Sequence, residues 1–191
     1  MELVVETGGY IKDITETVKE LSWTDPLNDG AGYLEFSYIL GDMDLIERGA
    51  PVRLSQEDQS QGIFFGYVFK VTVNQNRIVK VKAYDKLRYL KAKDTIVIEG
   101  DTLNSLVRKA ANFFSFSIGT NTPTGYRLAD AVNTDKSWLD IIYTAISDTL
   151  IGTKSYYCLR DEYGDLCLRD MEDLQLPLVL GDGSLVYEYD Y

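Results

Sequence analysis

Histidine does not occur in this 191-residue chain, and cysteine occurs twice. Histidine is the side chain that most often serves as a general base and as a metal ligand, so histidine-based catalytic triads and ordinary zinc sites are excluded. The two cysteines, Cys158 and Cys167, are too few for a disulfide framework. We therefore expect a cytosolic site of synthesis.

Long apolar runs and positive charge are also scarce. No stretch of about 18 apolar residues occurs, and Met1–Val5 has neither a basic segment nor a long apolar core. We therefore expect no transmembrane helix and no signal peptide. Lysine and arginine number 19 against 30 aspartates and glutamates, a formal charge of −11. Because so acidic a surface repels phosphate backbones, we predict no specific nucleic-acid binding. The lack of a long apolar run predicts no membrane insertion.

The first half of the chain has the pattern of closely spaced strands. Between Ile63 and Val73 the odd positions are apolar, which predicts a strand with those positions inward. A three-residue turn after Val73 would place Val71 opposite Val79. Strands at this spacing indicate a small antiparallel β-barrel or sandwich. Further strands are predicted at Glu2–Glu6, Tyr10–Trp23, Gly32–Leu40 and Pro51–Ser55.

The second half alternates strands and helices. A strand at Thr95–Glu99 leads into a helix with its cap at Asp101, and Ser137 has the spacing to cap a second helix. Gly119–Gly125 is predicted as a polar loop and Arg127–Val132 as a strand. The predicted fold class is therefore α+β. We place an N-terminal β-barrel or sandwich at 1–94, a small α+β (β-α-β-α-β-β) domain with two helices and a hairpin at 95–171, and a terminal strand at 172–191.

The hairpin near the end of the second domain brings the two cysteines together in its predicted register. Placing Arg160 opposite Asp165 sets Cys158 directly opposite Cys167 on one face. A reactive or metal-binding pair is one interpretation. Because two thiolates without histidine make a poor zinc site, we favour two reduced, partly buried thiols.

Acidic side chains offer another chemical hypothesis, a hydrolase with paired carboxylates. The candidates are Asp42 with Asp44, and the cluster Asp161, Glu162 and Asp165. Such an enzyme needs two carboxylates flanking a cleft, one of them with its pKa raised by burial. These acids fall in predicted turns, where solvated carboxylates are ordinary. We therefore predict no catalytic residue, no metal site and no cofactor.

One basic stretch, from Arg77 to Lys93, is interleaved with Tyr84 and Tyr89. Three interpretations are open. The stretch could bind single-stranded nucleic acid, form a solvated strand face protected by lysines, or meet the acidic surface of a neighbouring subunit. Because the net charge is strongly negative, nucleic-acid binding is the least favoured of these three interpretations.

Short motifs occur along most of the chain, and Gly32 and Gly66 within two of them suit places where backbones approach closely. The motifs are Trp23–Pro26, Gly32–Ser37, Asp44 with Gly49–Val52, Gly62–Val68, Ala83–Leu90, Lys136–Ile142 and Tyr157–Leu166. Together they resemble one family, the XkdQ/YqbQ family of phage and phage-like tail proteins.

The resemblance implies a non-enzymatic baseplate hub component of a contractile tail, with the architecture of late-control gene D hub proteins. Three copies would form a ring of tube-like barrels that adapts the tail tube to the central spike. The implied partners are a homotrimer of the chain itself, the tail tube protein, and the spike and other baseplate proteins. The implied location is a virion or tail-like particle, after synthesis in the bacterial cytoplasm.

The same resemblance leaves the end of the chain open. Family hubs carry a second tube-like barrel after the α+β domain, so residues 172–191 either return to the first barrel or begin a truncated second one. As interface residues we name Trp23, Tyr33, Arg48, Lys80, Lys82, Tyr187, Tyr189 and Tyr191.

An alternative function comes from Ile98–Leu106, which resembles the opening of a LysM peptidoglycan-binding module. That module has two strands enclosing two helices that are close in sequence. In this chain about twenty residues, including a predicted strand, separate the helices. The alternative is a peptidoglycan-binding accessory domain of a tail-associated cell-wall protein.

Overall fold

The computed structural model describes residues 1–41, 44–56 and 61–175. Within these ranges, two α-helices and two short 3-10 helices, Lys86–Lys91 and Glu172–Leu174, accompany twelve strands. The helices are α1 (Leu103–Phe114) and α2 (Trp138–Thr153). The strands are β1 (Glu2–Thr7), β2 (Tyr10–Asp13), β3 (Glu20–Thr24), β4 (Tyr33–Ile39), β5 (Pro51–Ser55), β6 (Gly62–Val73), β7 (Ile78–Tyr84), β8 (Lys93–Ile98), β9 (Ile118–Asn121), β10 (Ala131–Ser137), β11 (Tyr157–Glu162) and β12 (Asp165–Asp170).

The first seven strands form one antiparallel sheet in the order β2-β1-β5-β6-β7-β4-β3. Within the described ranges β2 and β3 each pair with a single strand, so the sheet does not close into a barrel. With the helices and smaller sheets that follow, it confirms the predicted α+β class. The long strand predicted at Tyr10–Trp23 is wrong, because the chain leaves the sheet after β2 to bury Ile14 in the core.

One face of this sheet covers a core that includes Leu34, Phe36 and Tyr38, as the alternation in β4 predicts. The inward face of β6 was predicted correctly beyond a bulge, where Val71 packs on the core, and wrongly for most of the strand before it. Phe64 and Val68 face the core, because the ladder with β7 is interrupted by a bulge between Val68 and Lys70. A bulge inserts one residue and exchanges the faces, so Phe65 and Tyr67 before it lie on the opposite side.

The turn between β6 and β7 is longer than predicted. Val73 lies opposite Val79, and Val71 lies opposite Val81. The Asn74 side chain accepts hydrogen bonds from the backbone N–H groups of Asn76 and Ile78, at 3.0 and 2.9 Å. This side-chain turn stabilises the wider loop and moves the register by two residues.

A second core cluster lies beneath α1 and α2. It contains Leu106, Ile142 and Leu166, and also Leu87 and Ala31 from the first ninety-odd residues. Two smaller sheets cover it, β10-β8 and β11-β12-β9. The domain boundary between residues 94 and 95 stays a prediction, and of the terminal segment residues 176–191 lie outside the described ranges.

The helix starts are close to those predicted. Thr102, one residue after the predicted Asp101, caps α1 and forms a reciprocal capping box with Ser105. Ser137 caps α2 as predicted, accepting from the backbone N–H of Asp140 at 3.1 Å. The predicted loop at 119–125 is partly wrong, because β9 pairs in parallel with β12 there.

The predicted hairpin register was also wrong by two residues. Glu162 lies opposite Asp165 across a two-residue turn, so Cys158 faces Arg169 and Cys167 faces Arg160. The turn residues have positive φ, +55° at Tyr163 and +98° at Gly164, as a tight hairpin turn requires. Hairpin turn geometry, rather than apolar matching of the strands, therefore fixes the register.

In the described part of the chain, no helix is long and apolar enough to cross a membrane.

Candidate functional site

The predicted interface residues fall in different parts of the first sheet. Trp23 lies on the edge strand β3 and is 45% exposed, and Arg48 lies in the exposed loop before β5. Tyr33, Lys80 and Lys82 lie together on the sheet face opposite the core. Tyr187, Tyr189 and Tyr191 lie outside the described residues.

The face that holds the lysines is hydrophilic across four strands, and we call it the polar face. The Lys82 ammonium lies 3.2 Å from Glu35 Oε1 and 3.6 Å from the centre of the Tyr33 ring. The backbone registers align the other side chains in two rows. The polar face consists of the row Glu20, Ser37, Lys80 and Thr72 and the row Ser22, Glu35, Lys82 and Lys70.

The four strands that carry the polar face have two free edges among the described residues. On one side, β3 pairs with β4 and with no other described strand. On the other, β5 accompanies β6 as far as Val68, whose backbone bonds Gly49 and Ala50. Beyond that point Phe69–Val73 has β7 on one side and, in the part of the chain that the structure describes, no strand on the other. Unpaired edges of this kind are sites for strand addition.

The basic stretch does not form a single surface. Lys80 and Lys82 belong to the polar face, whereas Lys86 and Arg88 pack over aromatic rings between the first sheet and the second core. Lys93 pairs with Asp135 at 3.3 Å. The structure therefore lacks, in its described part, the continuous basic groove that a single-stranded nucleic acid would follow.

The joint between the first sheet and the second core depends on the loop after β3. Asn28 in this loop has a surrogate-strand role for β11, because its side-chain amide hydrogen-bonds the β11 backbone as a neighbouring strand would. Its Oδ1 accepts from the Leu159 N–H at 3.0 Å, and its Nδ2 donates to the Tyr157 carbonyl at 2.9 Å. Tyr143 on α2 accepts from the Gly30 N–H at 2.9 Å, and Asp25 pairs with Arg160 at 2.8 Å.

We expect Asn28→Ala to lower the free energy of unfolding by about 2 kcal/mol, because two partly buried backbone groups of β11 lose their partners and alanine must adopt the φ of +48° at this position. Urea unfolding measures the change. Asp29→Ala, at an exposed neighbouring position, is the matched control and should leave stability nearly unchanged. Equal losses in the two variants would contradict the surrogate-strand role.

Two carboxyl groups lie beside this joint, in a cleft of about 770 Å³ between the sheet and the β11–β12 hairpin. Asp85 is 4% exposed and accepts from the Gly32 N–H at 2.7 Å and the Leu87 N–H at 2.9 Å. Asp161 accepts from the Lys86 N–H at 3.2 Å and the Gly164 N–H at 2.6 Å. Both carboxyl groups therefore hold backbone in place.

Burial governs the ionisation of both groups. Desolvation, with a smaller contribution from the neighbouring Asp161 charge, raises the pKa of Asp85 to about 8. Desolvation likewise raises the pKa of Asp161 to about 6. Sequence reasoning placed Asp161 in a solvated turn, which is wrong, and missed Asp85. The signal for Asp85 was its position as N-cap of the short helix at Lys86.

Of the acidic cluster in the hydrolase hypothesis, Asp161 and Glu162 line this cleft and Asp165 does not. Asp165 is exposed. Glu162 forms a bidentate ion pair with Arg169, whose Nε and Nη2 donate to Oε1 and Oε2 at 2.9 and 2.7 Å. Asp44 pairs with Lys12, and Asp42 lies outside the described residues. Within the described ranges no three side chains of His, Cys, Asp or Glu are grouped to hold a metal ion.

Both cysteines are buried and free. Desolvation raises the pKa of Cys158, and it raises that of Cys167 to about 11, with added repulsion from Glu162. Thiols with raised pKa values remain protonated at neutral pH and are poor nucleophiles.

The LysM-like segment uses its polar side chains internally. Asp101 bonds Ser105 and Lys109, and Asn104 Oδ1 accepts from Thr102 Oγ1 at 2.7 Å. Residues 115–137 separate the two helices and contain β9 and β10. The element order therefore differs from the two-helix core of a LysM module, and the polar groups of the segment serve helix capping.

The chain belongs to the YQBQ-like family, whose model matches residues 21–191. This match confirms the family resemblance of the sequence motifs. No curated protein matches the chain significantly.

Solved tail proteins share the fold. The 43 kDa tail protein of prophage MuSo2 from Shewanella oneidensis is similar over 88% of this chain and 52% of its own, with 14% identity and a TM-score of 0.63. The prophage tail protein gp18 from Listeria monocytogenes is similar over 100% of this chain and 56% of its own, with 13% identity and a TM-score of 0.60. A tail protein from Neisseria meningitidis is similar over 87% and 49%, with 14% identity and a TM-score of 0.58. This chain thus spans about half the length of each.

Proposed function

We propose that the chain is a non-enzymatic structural component of a phage or phage-like contractile tail, acting in the baseplate hub as a trimeric adaptor between the tail tube and the central spike. The observation that carries the proposal is a sheet that, within residues 1–41, 44–56 and 61–175, is open and has free edges and a polar face, in a chain that belongs to the YQBQ-like family. The fold shared with three tail proteins supports it.

The geometry favours assembly over catalysis. The buried carboxyl groups of the cleft are occupied by backbone N–H donors, and the two cysteines are protonated. The exposed side chains of the polar face are hydrophilic, which suits a surface facing an aqueous channel or a neighbouring subunit. The partners proposed are further copies of this chain, the tail tube protein and the spike. We also propose that the first domain ends at residue 94 and that the second begins at residue 95.

Mass photometry of the full-length hub protein tests the adaptor role. The expected result is a trimer, and electron micrographs should show a ring at the junction of tube and spike. A hub protein that stays monomeric at micromolar concentrations would contradict the proposal. Sedimentation with purified cell-wall sacculi is the parallel test of the LysM-like alternative, because a glycan-binding module would sediment with the wall and a hub component would not.

A further inference from the structure

The cleft between the first sheet and the β11–β12 hairpin is closed where the turn of the hairpin packs on β6. A Cβ added to Gly62 would overlap the ring of Tyr163, so this ring rests directly on the β6 backbone. The next residue, Gly164, packs in the same way on the ring of Phe65. We call this packing of Tyr163 and Gly164 on β6 the tip contact. Because Tyr163 remains 42% exposed, little apolar area holds the tip contact together.

Elsewhere the sheet and the second core are joined by polar groups and by the chain itself. Asn28 bonds the backbone of β11, and Asp25 pairs with Arg160. The chain passes from the sheet into the second core at Asp85, which caps the short helix after β7. Because the sheet and the helices have separate core clusters, the tip contact can separate about these links without opening either core.

Two carboxyl groups meet at these links, Asp85 from the end of the sheet and Asp161 from β11. Asp161 accepts from the N–H of Lys86, the residue after Asp85, at 3.2 Å, so the two carboxyl groups are neighbours. The pKa of Asp161 is about 6 and that of Asp85 is about 8. The closed cleft therefore holds one negative charge from this pair near pH 7 and two well above pH 8.

The titratable and charged groups that face the two carboxyl groups come from four parts of the fold. They are Asp25 after β3, Lys86 on the short helix, Tyr143 on α2, and Arg160, Glu162, Asp165 and Arg169 of the hairpin. Arg160 is paired with Asp25, and Arg169 is paired with Glu162. Burial raises the pKa of Tyr143, so its hydroxyl stays neutral. None of these four charged groups is therefore free to neutralise the carboxyl pair.

Lys86 is the remaining cation of this group. Its ammonium donates to the Gly164 carbonyl and lowers the pKa of Asp161, so it offsets one of the two carboxylates. Ionising the second carboxyl group adds an unbalanced charge at Asp85, which is 4% exposed. Repulsion between buried like charges falls when water reaches them. Opening the cleft would admit that water.

We propose that the cleft is a pH-sensitive hinge, in which the tip contact stays closed while Asp85 carries a proton and opens, with both cores intact, when Asp85 and Asp161 are both ionised. The closed chain binds more protons than the open chain, in which water solvates both carboxylates, so raising the pH favours opening. The ratio of open to closed chains should rise about tenfold for each pH unit over which one proton separates the two states, and level off above about pH 8.

NMR titration of the full chain from pH 5 to pH 9 tests the hinge. The side-chain carboxyl carbon of Asp85 reports ionisation. The Gly62 resonances report the tip contact, because the Tyr163 ring shifts them only while it rests on β6. We expect Gly62 to move toward its position in Tyr163→Ser, with the same midpoint as the Asp85 carbon. Amides in the β4–β7 pairing should stay protected from hydrogen exchange, since the sheet remains folded.

Charge-removing variants identify the groups responsible. Asp85→Asn and Asp161→Asn each leave a single carboxyl group of the pair, and each should keep the tip contact at pH 9. Asp148→Asn, at an exposed position on α2, is the matched control and should open as the wild type does. The proposal is overturned if both cleft variants lose the contact at the wild-type midpoint. It is also overturned if Asp85 ionises in the wild type while Gly62 does not move.

A disulfide across the tip contact gives an independent measurement. Gly62→Cys/Tyr163→Cys places two thiols where the ring now rests on the glycine, and oxidation should tie the hairpin to β6. The native Cys158 and Cys167 are buried and should not take part. If ionisation is coupled to opening, Asp85 should titrate at least about one pH unit higher in the oxidised variant than in the same variant reduced. Equal midpoints in the two forms would overturn the coupling.

The hinge does not depend on the proposed hub function. A chain whose cleft stays closed at every pH could still form the trimer that mass photometry tests, and a monomeric chain could still open.

Discussion

Gly66→Ala should be among the most destabilising single-methyl changes in the first sheet, with a loss of about 3 kcal/mol in the free energy of unfolding. Gly66 lies in β6 between β5 and β7, and an added Cβ would overlap the carbonyl oxygen of Tyr84 and the ring of Phe64. The Tyr84 carbonyl belongs to backbone and cannot rotate away as a side chain would. Relieving this overlap therefore requires β6 and β7 to move apart beside the bulge. The pairing of these two strands positions both the polar face and the joint with the second core.

Urea unfolding followed by tryptophan fluorescence measures this effect. Gly8→Ala is the matched control, because Gly8 has a φ of +59° but nothing within 4 Å of an added Cβ. We expect it to lose about 1 kcal/mol, the cost of placing alanine in a left-handed conformation. Equal losses in the two variants would show that close backbone approach at Gly66 is unimportant.

The free energy of unfolding should fall by several kcal/mol between pH 5 and pH 8. Burial raises the pKa of Asp85 to about 8 and that of Asp161 to about 6, above the ordinary value of 3.8. In this window the folded chain binds more protons than the unfolded chain, so raising the pH favours unfolding. The stabilisation that the protonated Asp85 and Asp161 contribute is complete below about pH 4. It is lost as the pH rises through the pKa values of these two groups in the folded chain. Each pH unit over which a full proton separates the two states corresponds to about 1.4 kcal/mol.

The carboxyl groups whose pKa is lowered do not cancel this trend. Asp13, Asp101, Asp130 and Glu162 have lowered pKa values, largely through hydrogen bonds and ion pairs. Their stabilisation is present above the ordinary carboxyl pKa and is lost at lower pH. They therefore change stability in the acid range, whereas Asp85 and Asp161 govern the interval from pH 5 to pH 8.

Urea unfolding at pH 5, 6.5 and 8 tests the assignment with Asp85→Asn. The asparagine should be less stable at pH 5, because its single amide oxygen cannot accept fully from both Gly32 and Leu87. Its stability should nevertheless vary much less with pH. Asp148→Asn, at an exposed position on α2, should keep the wild-type slope. A wild-type slope in Asp85→Asn would exclude Asp85 as the titrating group.

Local patterns in the sequence predicted the elements better than their pairing. Alternation in β4 identified its buried face, and Ser137 marked the start of α2, because both signals act over a few neighbouring residues. Both predicted hairpin registers were wrong by two residues. In one case the Asn74 turn moved the register, and in the other a tight turn at Tyr163 and Gly164 did so.

The candidate site was partly visible in the sequence. The basic stretch contained Lys80 and Lys82, and Trp23 belonged to a family motif. Glu20 and Lys70 were missed, because their significance depends on which strands are neighbours and which edges are free. Asp85 was missed because its burial results from the loop before Gly32 folding back over it.

The strand and helix periodicities were sufficient to determine the α+β class, and the motifs were sufficient to indicate the family. These properties follow from composition and from interactions between residues close in sequence. The bulge in β6, the free edges and the buried pair of carboxyl groups were decided by the tertiary structure. Each of these depends on contacts between distant segments, whose register and burial no local pattern specifies.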